Sequence, residues 1–341
     1  MKRTICCVAG KSGGHIIPCI NQALMITQLD PEQQILFFST NSTLDGQIIK
    51  NYPSITQHVP LDLQNIPYKR WWRFPLFIWS FISSCVTTFS YLRSHKPELI
   101  ISTGGALSIP VCLIGRAMGI PVELFELNVV PGKATTFLSR FVTVVKTCFP
   151  ETKNYLPRSH CVMSSYPLSP RYSKHSRSKE EILSEYEFSN DKKTVLILGG
   201  SQGSQSLNTL LPEILKRLPH ASTRMQIVHQ AGNNDLEAIK ATYKKASVDA
   251  QVIAFHNSIQ ELYTIADVVI CRSGAGSLFE TLHFNKKCIT IPLEADTTLH
   301  QVDNAQSFVL NHPNTFVMFK QSEIQKNSQP FIAALDHFLQ Q

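Results

Sequence analysis

The chain has 341 residues, of which 43% are hydrophobic and 17% are charged, and its formal net charge is +7. This length and composition allow two domains with large buried cores and exclude a chain that is disordered throughout. The nine cysteines are odd in number, show no Cys-x-x-Cys spacing and lie partly in apolar runs, which excludes a disulfide framework and favours reduced thiols in a cytosolic protein.

The excess positive charge lies in the first half of the chain. Residues 1–165 hold 15 Lys/Arg and 8 Asp/Glu, whereas residues 166–341 hold 17 of each. A basic half suits either nucleic acid or an anionic lipid surface. Aromatic residues beside the basic ones, described below, favour lipid, and no nucleic-acid partner is expected.

Short apolar, β-branched runs alternate with helical patterns along the chain. Unbroken runs of this kind between helices predict parallel strands covered on both faces. The predicted fold class is therefore α/β, with two doubly wound parallel sheets whose ligand sites lie at the carboxyl ends of the strands and face a cleft. The predicted strands are Thr4–Ala9, Gln34–Ser39, Glu98–Thr103, Pro121–Phe125, Phe141–Lys146, Thr194–Leu198, Met225–Gln230, Gln251–Phe255, Asp267–Cys271 and Cys288–Pro292.

A polar stretch, residues 166–193, separates the two groups of strands. It is rich in Ser, Pro and charged residues, which is typical of a linker that enters a second domain. The predicted domains are 1–165 and 166–328. The last segment, 329–341, is predicted to be a short amphipathic helix that packs back on the first domain.

Four predicted strands run directly into glycine-containing turns that precede helices. Glycine lets the backbone approach a ligand closely, and a helix N-terminus offers free N–H groups, so such loops bind phosphate. None has the Walker spacing or a clean G-x-G-x-x-G, which disfavours a P-loop enzyme and a nicotinamide oxidoreductase. The loops are Gly10–His15, Ser102–Ala106, Gly199–Ser204 and Arg272–Ser277.

Glu280 lies six residues after Gly274, one to two turns into the helix that follows the fourth loop. A carboxylate there can reach a ribose whose diphosphate sits on the helix N-terminus. The alternative is a solvated or capping glutamate. The loop in front of it favours ribose binding.

The segment Lys69–Trp79 holds all three tryptophans beside three cationic residues. From Phe74 to Leu92 the chain carries no charge, a length that almost allows a membrane-spanning helix. Pro75 and several serines and threonines dilute its hydrophobicity. Mixed aromatic and basic residues favour a helix lying on an anionic membrane surface, and a core helix and a spanning helix stay as alternatives.

Metal ligands are not indicated. One close acidic pair with D-x-D-like spacing, Glu294 and Asp296, precedes His300 and Gln301, and a polar cleft loop is its favoured interpretation. The twelve histidines are scattered and show no H-E-x-x-H arrangement. Neither a metal nor a cofactor is expected.

The glycine loops belong to longer motifs. The chain contains, in this order, AGKSGGHIIP, STGGALSIPVCLIGRAMGIPV, FELNVVPGK, LILGGSQGSQSLN, ADVVICRSGAGSLFE and HQVDNA. Over about residues 5–310 it resembles the MurG family, which are UDP-N-acetylglucosamine transferases with the GT-B architecture of two Rossmann-like domains. The resemblance implies a lipid acceptor on the membrane-facing N-terminal domain and UDP-N-acetylglucosamine on the C-terminal one.

The resemblance further implies an inverting hexosyltransferase that acts on undecaprenyl-pyrophosphoryl-MurNAc-pentapeptide in peptidoglycan synthesis. Such an enzyme is expected to bind peripherally to the cytoplasmic face of the inner membrane and to serve cell-wall biogenesis, cell shape and cell division. Two alternatives stay open: another UDP-sugar glycolipid transferase, and a non-catalytic UDP-sugar-binding membrane subunit.

The family's site residues match particular positions of this chain. Ser12, Gly13, Gly14 and His15 match the first glycine loop, and Asn128 matches the asparagine after the family's glutamate, Glu126. For the donor, the resemblance implies contacts from Ser201 near the diphosphate, the main chain of His256 at uracil, Gln301 at the sugar, and the loop and helix start Ala275, Gly276, Ser277, Leu278, Phe279 and Glu280.

The sequence also departs from the family. Lys11 stands where the family usually has glycine, and Ser169 stands where the family has an arginine that touches the donor. Arg171, two residues further on, is the candidate replacement and is counted among the substrate-binding residues.

The implied reaction is a direct displacement at the anomeric carbon, in which an acceptor hydroxyl attacks and UDP leaves. It needs a base near the hydroxyl and positive potential at the diphosphate. His15 is one candidate base, because its ordinary pKa lies near physiological pH, and Glu126 is the other. The helix start at Gly274–Ser277, with Arg272 or Arg171, can supply the positive potential. The sequence leaves the choice of base open.

Overall fold

The structure is a computed structural model, and it describes residues 3–10, 12–67, 70–173, 177–200, 203–218, 221–294 and 300–341. The chain divides into two compact units, Met1–Pro170 and Arg171–Gln341. The division falls a few residues beyond the predicted boundary at 165/166, inside the stretch predicted to be a linker. That stretch includes a 3₁₀ turn, Pro170–Ser173, and the helix Lys179–Glu185.

The first unit is built on a seven-stranded sheet in the order β3-β2-β1-β4-β5-β6-β7. All neighbouring strands are parallel. The strands are β1 (Thr4–Val8), β2 (Gln34–Thr40), β3 (Gln57–Leu61), β4 (Leu99–Ser102), β5 (Val122–Glu126), β6 (Val144–Thr147) and β7 (Cys161–Met163). The helices are α1 (Gly13–Leu29), α2 (Thr43–Lys50), α3 (Phe74–His95), α4 (Ser108–Ala117) and α5 (Lys133–Leu138).

The second unit is built on a six-stranded sheet in the order β10-β9-β8-β11-β12-β13, again parallel throughout. Its strands are β8 (Lys193–Leu198), β9 (Met225–Gln230), β10 (Asp249–Ile253), β11 (Val268–Cys271), β12 (Lys287–Thr290) and β13 (Phe316–Met318). Its helices are α6 (Lys179–Glu185), α7 (Gln205–Leu215), α8 (Ala221–Arg224), α9 (Leu236–Lys245), α10 (Ile259–Ile265), α11 (Ala275–His283), α12 (His300–Asn311), α13 (Gln321–Lys326) and α14 (Gln329–Gln340).

The ten predicted strands are confirmed; Met225–Gln230 has the predicted bounds, and the other nine are shifted by one to three residues at one or both ends. The central strands are completely buried because their apolar side chains are covered on both faces, as the unbroken runs predicted. Three short strands at or next to the sheet edges, β3, β7 and β13, were not predicted. In β3 the sequence QHVPL contains Pro60, which lacks a backbone N–H and is tolerated because this strand has a neighbour on one side only.

The C-terminal helix α14 belongs to the second unit, so the prediction that it packs back on the first domain is wrong. Its buried face, which includes Phe331, Leu335 and Phe338, joins the core formed by the strands of the second sheet. Asp336 of the same helix forms an ion pair with Arg224, with an N–O distance of 2.7 Å. The amphipathic pattern showed that α14 needs an apolar surface, but it did not say which of the two cores supplies it.

All nine cysteines are free thiols, as predicted from their number and spacing. Seven are buried. Burial raises the pKa of Cys112 and of Cys148 to about 12, which makes their thiolate forms, and hence their nucleophilic reactions, rare at neutral pH.

Candidate active site

Each sheet has a topological switch point, where the strand order reverses, and the predicted glycine loops follow the strands that flank it. In the first sheet β1 lies beside β4, and in the second β8 lies beside β11. Ligands of open α/β sheets bind at such points, outside the carboxyl ends of the strands. The topology therefore brings two glycine loops together in each unit.

In the first unit, the loops after β1 and β4 approach each other closely. A Cβ atom added to Gly105 would lie 3.9 Å from the carbonyl oxygen of Gly10. Gly104 and Gly105 both have φ near +89°, a conformation that favours glycine. Helix α1 begins at Gly13, and the side chain of its N-cap, Ser12, makes no capping hydrogen bond.

His15, in the first turn of α1, is held against the second loop by two hydrogen bonds. Its Nδ1 lies 2.8 Å from the carbonyl oxygen of Thr103, and the Thr103 hydroxyl donates to the carbonyl oxygen of His15 at 2.8 Å. A carbonyl oxygen can only accept, so Nδ1 carries the proton in the neutral ring. Nε2 then has the lone pair, which is the tautomer that a general base requires.

Glu126, at the end of β5, is 3% exposed and is surrounded by donors from the loop that follows it. Its Oε1 accepts from the backbone N–H of Asn128 at 3.0 Å and from the Asn128 side chain at 3.3 Å. Its Oε2 accepts from the N–H of Gly132 at 3.2 Å, and the Thr135 hydroxyl also donates to it. Burial raises the pKa of Glu126, and these hydrogen bonds oppose the rise. The carboxylate therefore organises the 127–132 loop, including Asn128.

In the second unit, the loop after β8 packs tightly against the loop after β9. Gly203 has φ +74°, and a Cβ atom there would lie 2.1 Å from the carbonyl oxygen of Ala231. Helix α7 begins at Gln205 and its N-cap Ser204 makes no side-chain capping hydrogen bond. Ser201 lies outside the described residues.

The loop after β11 leads into α11, whose N-cap is Gly274 and therefore has no side chain to cap it. By contrast, α2, α6 and α9 are capped by Ser42, Ser178 and Asp235. The first N–H groups of α1, α7 and α11 lack such caps, as do those of α3, α4, α5 and α10. What suits an anion is that α1, α7 and α11 also begin at the carboxyl ends of the central strands.

Arg272, in the loop after β11, forms hydrogen bonds to Ser204 and Ser206 at the end of the loop after β8 and the start of α7. It is 6% exposed, and burial lowers its pKa to about 10, so the guanidinium stays charged at neutral pH. Its N–H groups donate to the hydroxyls of Ser204 (2.9 Å) and Ser206 (2.6 Å), to Gln321 Oε1 (2.8 Å), and to the carbonyl oxygens of Ile291 (3.1 Å) and Pro292 (3.3 Å). All three guanidinium nitrogens of Arg272 therefore have protein acceptors, and the side chain joins the loop after β11 to the start of α7.

Glu280 lies in the second turn of α11 with both carboxylate oxygens hydrogen-bonded. The Tyr172 hydroxyl donates to Oε1 at 2.8 Å and the Tyr263 hydroxyl to Oε2 at 3.2 Å. Burial raises the pKa of Glu280 to about 7, and the two tyrosines oppose this rise. Sequence reasoning did not find these tyrosines, because no local pattern marks partners that lie 108 and 17 residues away along the chain.

The remaining residues of the predicted donor run have different surroundings. Ala275 and Leu278 are buried in the unit, so only their main chain can meet a ligand. Phe279 packs edge-on against Phe308 of α12, with ring centroids 5.0 Å apart. Gly276 and Ser277 are half-buried at the start of α11.

Three further predicted residues lie at the same end of the second unit or in its connector. The N–H of His256 donates to Gln230 Oε1 at 3.1 Å, which fixes the main chain predicted to meet uracil. Gln301, in the first turn of α12, accepts from the N–H of Leu293 at 3.1 Å. Arg171 lies exposed in the Pro170–Ser173 turn.

A separate apolar surface lies on α3 and the short 3₁₀ turn before it. One stripe of α3, formed by Ser80, Ser84, Thr88 and Leu92, is buried in the unit. The segment Trp71–His95 is long and apolar enough to cross a membrane. Only 17% of its most apolar 18 residues are buried inside the protein, so most of this apolar surface is exposed. The exposed apolar side chains are Trp71, Trp72, Phe74, Leu76, Ile78, Trp79, Ile82, Val86 and Phe89.

Metal binding finds no support in the part of the chain that the structure describes, where no group of three or more His, Cys, Asp or Glu side chains is placed to hold an ion. Asp296 lies outside the described residues. The described Glu294 accepts from the N–H and hydroxyl of Ser322, at 3.0 and 2.9 Å.

Two family models match the chain and together cover most of it. The glycosyltransferase family 28 N-terminal domain matches residues 5–147, and the glycosyltransferase family 28 C-terminal domain matches residues 194–330. The four glycine loops lie inside these two matches.

Individual proteins are similar over nearly the whole chain. A UDP-N-acetylglucosamine--N-acetylmuramyl-(pentapeptide) pyrophosphoryl-undecaprenol N-acetylglucosamine transferase from Thermodesulfovibrio yellowstonii is 30% identical over 298 residues, which cover 87% of this chain and 80% of the relative. A protein of the same name from Citrifermentans bemidjiense is 29% identical and covers 92% of this chain and 85% of the relative. The crystal structure of Acinetobacter baumannii MurG superposes with a TM-score of 0.74 at 25% identity, over 99% of this chain and 92% of that one.

Proposed function

The chain belongs to glycosyltransferase family 28, and we propose that it is an inverting transferase that moves N-acetylglucosamine from UDP-N-acetylglucosamine to lipid-linked N-acetylmuramyl-pentapeptide in peptidoglycan synthesis. The observation that carries this proposal is the match to relatives of that name over about nine-tenths of the chain. The pairs of glycine loops at both switch points support it, because they supply the two binding sites that a transfer reaction needs.

The donor site of the proposal lies on the second unit. The diphosphate of the UDP-sugar sits on the uncapped N-termini of α7 and α11, where main-chain N–H groups and the helix dipoles favour negative charge. Arg272 adds a buried positive charge under both loops. Glu280 accepts hydrogen bonds from the ribose, Gln301 binds the sugar, the main chain of His256 meets uracil, and Ser201 and Arg171 complete the set.

The acceptor site of the proposal lies on the first unit. The muramyl sugar binds beside Ser12–Gly14 and Asn128, and His15 removes the proton from its attacking hydroxyl through Nε2. As the C–O bond to the acceptor forms, the anomeric C–O bond to the diphosphate breaks and UDP leaves with the electron pair. Glu126 holds the loop of Asn128 in this proposal and does not act as the base, because four hydrogen bonds, two from Asn128 and one each from Gly132 and Thr135, use the about four acceptor positions of its carboxylate.

The proposal places α3 on the cytoplasmic surface of the inner membrane, without crossing it. A spanning helix would have to leave the unit, but α3 packs against it through the Ser80–Leu92 stripe. Its exposed tryptophans and leucine suit the headgroup boundary, where aromatic rings anchor proteins. This position is useful because the polyprenyl acceptor cannot leave the bilayer.

The deciding experiment is turnover of radiolabelled UDP-N-acetylglucosamine with lipid-linked muramyl-pentapeptide, compared with diacylglycerol as acceptor. We expect label transfer to the muramyl lipid only. Transfer to diacylglycerol instead would identify a glycolipid transferase. UDP binding without transfer to either acceptor would identify a non-catalytic subunit, for which the serine at position 169 is the supporting observation.

Replacing Arg272 by methionine is expected to weaken UDP binding at least roughly tenfold, because the buried charge and the link between the loops are both lost. The affinity for uridine, which lacks phosphate, should fall much less than the affinity for UDP. Titration calorimetry with UDP and uridine measures the two effects. Arg224→Met, at a half-exposed ion pair on the same unit, is the matched control, and equal losses for both ligands would contradict a role at the diphosphate.

Replacing Lys69, Arg70 and Arg73 together by glutamine is expected to release the protein from anionic vesicles. Each cation contributes about 1 kcal/mol near an anionic surface, so roughly a hundredfold weaker binding follows. Vesicle sedimentation measures the binding. The charge-matched control is the variant in which Lys240, Lys244 and Lys245 of α9 are replaced by glutamine. Turnover of a short-chain soluble acceptor should stay unchanged. A loss there as well would mean that the substitutions damage the fold of the unit.

A further inference from the structure

The turn Pro170–Ser173, at which the chain passes from the first unit to the second, contributes a side chain to the donor site. The hydroxyl of Tyr172 donates to Glu280 Oε1 at 2.8 Å. The Tyr172 ring packs against Phe284 and His283 of the α11 region, with centroid distances of 5.3 and 6.0 Å. These ring contacts fix the direction in which the hydroxyl points.

The other oxygen of Glu280 is held in the same way by α10. Tyr263 is completely buried, and its hydroxyl donates to Oε2 at 3.2 Å. Its ring stacks on Phe284 with centroids 4.9 Å apart and an interplanar angle of 4°. Phe284 therefore lies against both tyrosine rings, and the two hydroxyls bind opposite oxygens of one carboxylate.

A carboxylate has about four acceptor positions, two on each oxygen. The two tyrosines use one position on each oxygen. One position on each oxygen then remains, which is what the adjacent 2′- and 3′-hydroxyls of a ribose need. The tyrosines thus restrict rotation of the carboxylate without filling the places of a diol.

We propose that Tyr172, together with Tyr263, is a positioning residue of the donor site, which holds the carboxylate of Glu280 in the orientation that a ribose diol needs. The inference rests on the proposed function, because it assumes that Glu280 binds the ribose of a uridine nucleotide. It assigns the connector's contribution to Tyr172, whereas the sequence had pointed to Arg171.

The hydrogen bonds also set the charge of Glu280. The titratable groups that contact it are Tyr172 from the connector and Tyr263 from α10. His283, one turn further along α11, lies against the Tyr172 ring. Burial raises the pKa of Glu280 to about 7, and donation from Tyr172 stabilises the charged form and so holds the pKa down. Ribose hydroxyls donate best to the charged form, so UDP affinity rises with pH through about 7. Without the Tyr172 hydroxyl, this rise moves to higher pH.

The test compares UDP dissociation constants of the wild type and Tyr172→Phe between pH 6 and 8.5. Phenylalanine keeps the ring packing and removes only the hydroxyl. We expect the midpoint of the affinity rise to move up by about one pH unit, which makes UDP binding roughly fivefold weaker at pH 7. At pH 8.5 a smaller loss should remain, because the carboxylate is then mostly ionised but is no longer oriented by the Tyr172 hydroxyl. The phosphate of UDP also titrates in this pH range, but it does so equally for both proteins, so its effect cancels when their dissociation constants are compared at the same pH. The preference for UDP over 2′-deoxy-UDP should fall, and KM for the donor should rise with kcat unchanged.

Two further variants separate the possible failures. Tyr263→Phe should shift the midpoint in the same direction, and Tyr155→Phe, an exposed tyrosine of the first unit, should not shift it. An unchanged midpoint and unchanged affinity in Tyr172→Phe would overturn the inference. If Glu280→Gln also binds UDP like the wild type, the assignment of Glu280 to the ribose is what fails. If the wild type does not bind UDP, the proposed function itself fails.

Discussion

Replacing His15 by alanine is expected to lower kcat by roughly 10²–10⁴-fold, which is the usual contribution of a general base. The affinity for UDP should change little, because the donor site of the proposal lies on the second unit. The reason for the large effect is the position of the ring: Nδ1 is committed to the carbonyl oxygen of Thr103, so Nε2 is left with the lone pair. Steady-state kinetics with saturating acceptor and calorimetry with UDP measure the two quantities.

His15→Asn separates catalysis from positioning. The asparagine amide can donate to the Thr103 carbonyl as Nδ1 does, so the loop contact is kept, but no group remains at Nε2 to take a proton. A base role predicts that this variant is as slow as His15→Ala, whereas near-normal kcat in it would leave only a positioning role. His95→Ala is the control, because His95 Nδ1 also lies against a backbone carbonyl, that of Tyr91 at 3.0 Å, on the same unit.

Replacing Glu280 by alanine is the second large expected effect and concerns binding. A hydrogen bond to a charged group contributes about 1.5–3 kcal/mol, so UDP affinity should fall by roughly 10- to 150-fold. The loss should be greatest above pH 7, where the wild-type carboxylate is ionised and binds best. Titration calorimetry at pH 6 and pH 8 tests both the size and the pH dependence.

A lower UDP affinity of Glu280→Ala is informative only if the variant still folds. Alanine leaves the Tyr172 and Tyr263 hydroxyls without an acceptor, so some loss of thermal stability is expected and is measured separately. Glu213→Ala, at an exposed position of α7, is the matched control. Unchanged UDP affinity in a folded Glu280→Ala protein would remove Glu280 from the donor site.

The two experiments together test whether the chain is a catalyst or a binding subunit. Loss of turnover without loss of UDP binding in His15→Ala, and loss of UDP binding in Glu280→Ala, are the results expected of an enzyme with separate acceptor and donor sites. A protein that binds UDP through Glu280 but transfers no sugar, even as the wild type, would be a binding subunit.

The sequence by itself determined the features that consecutive residues encode. A buried strand, a glycine turn and a helix start follow one another within about fifteen residues, so the four loops and their order could be predicted, and with them the parallel sheets. Six motifs in a fixed order, from AGKSGGHIIP to HQVDNA, together suggested the family, which the comparisons confirm. The edge strands β3 and β7 were not predicted, because short, partly exposed strands have no unbroken apolar pattern.

Only the tertiary structure decided which side chains meet. His15 contacts Thr103 across 88 positions, and Tyr172 contacts Glu280 across 108. Arg272, which the sequence offered as a source of positive potential at the diphosphate, donates its hydrogen bonds to Ser204, Ser206 and Gln321 inside the protein. The apolar face of helix α14 packs into the core of the second unit. Local patterns specify that a residue needs a partner, but the identity of the partner depends on how distant elements pack, since hydrogen-bond geometry and close packing act only over a few ångströms.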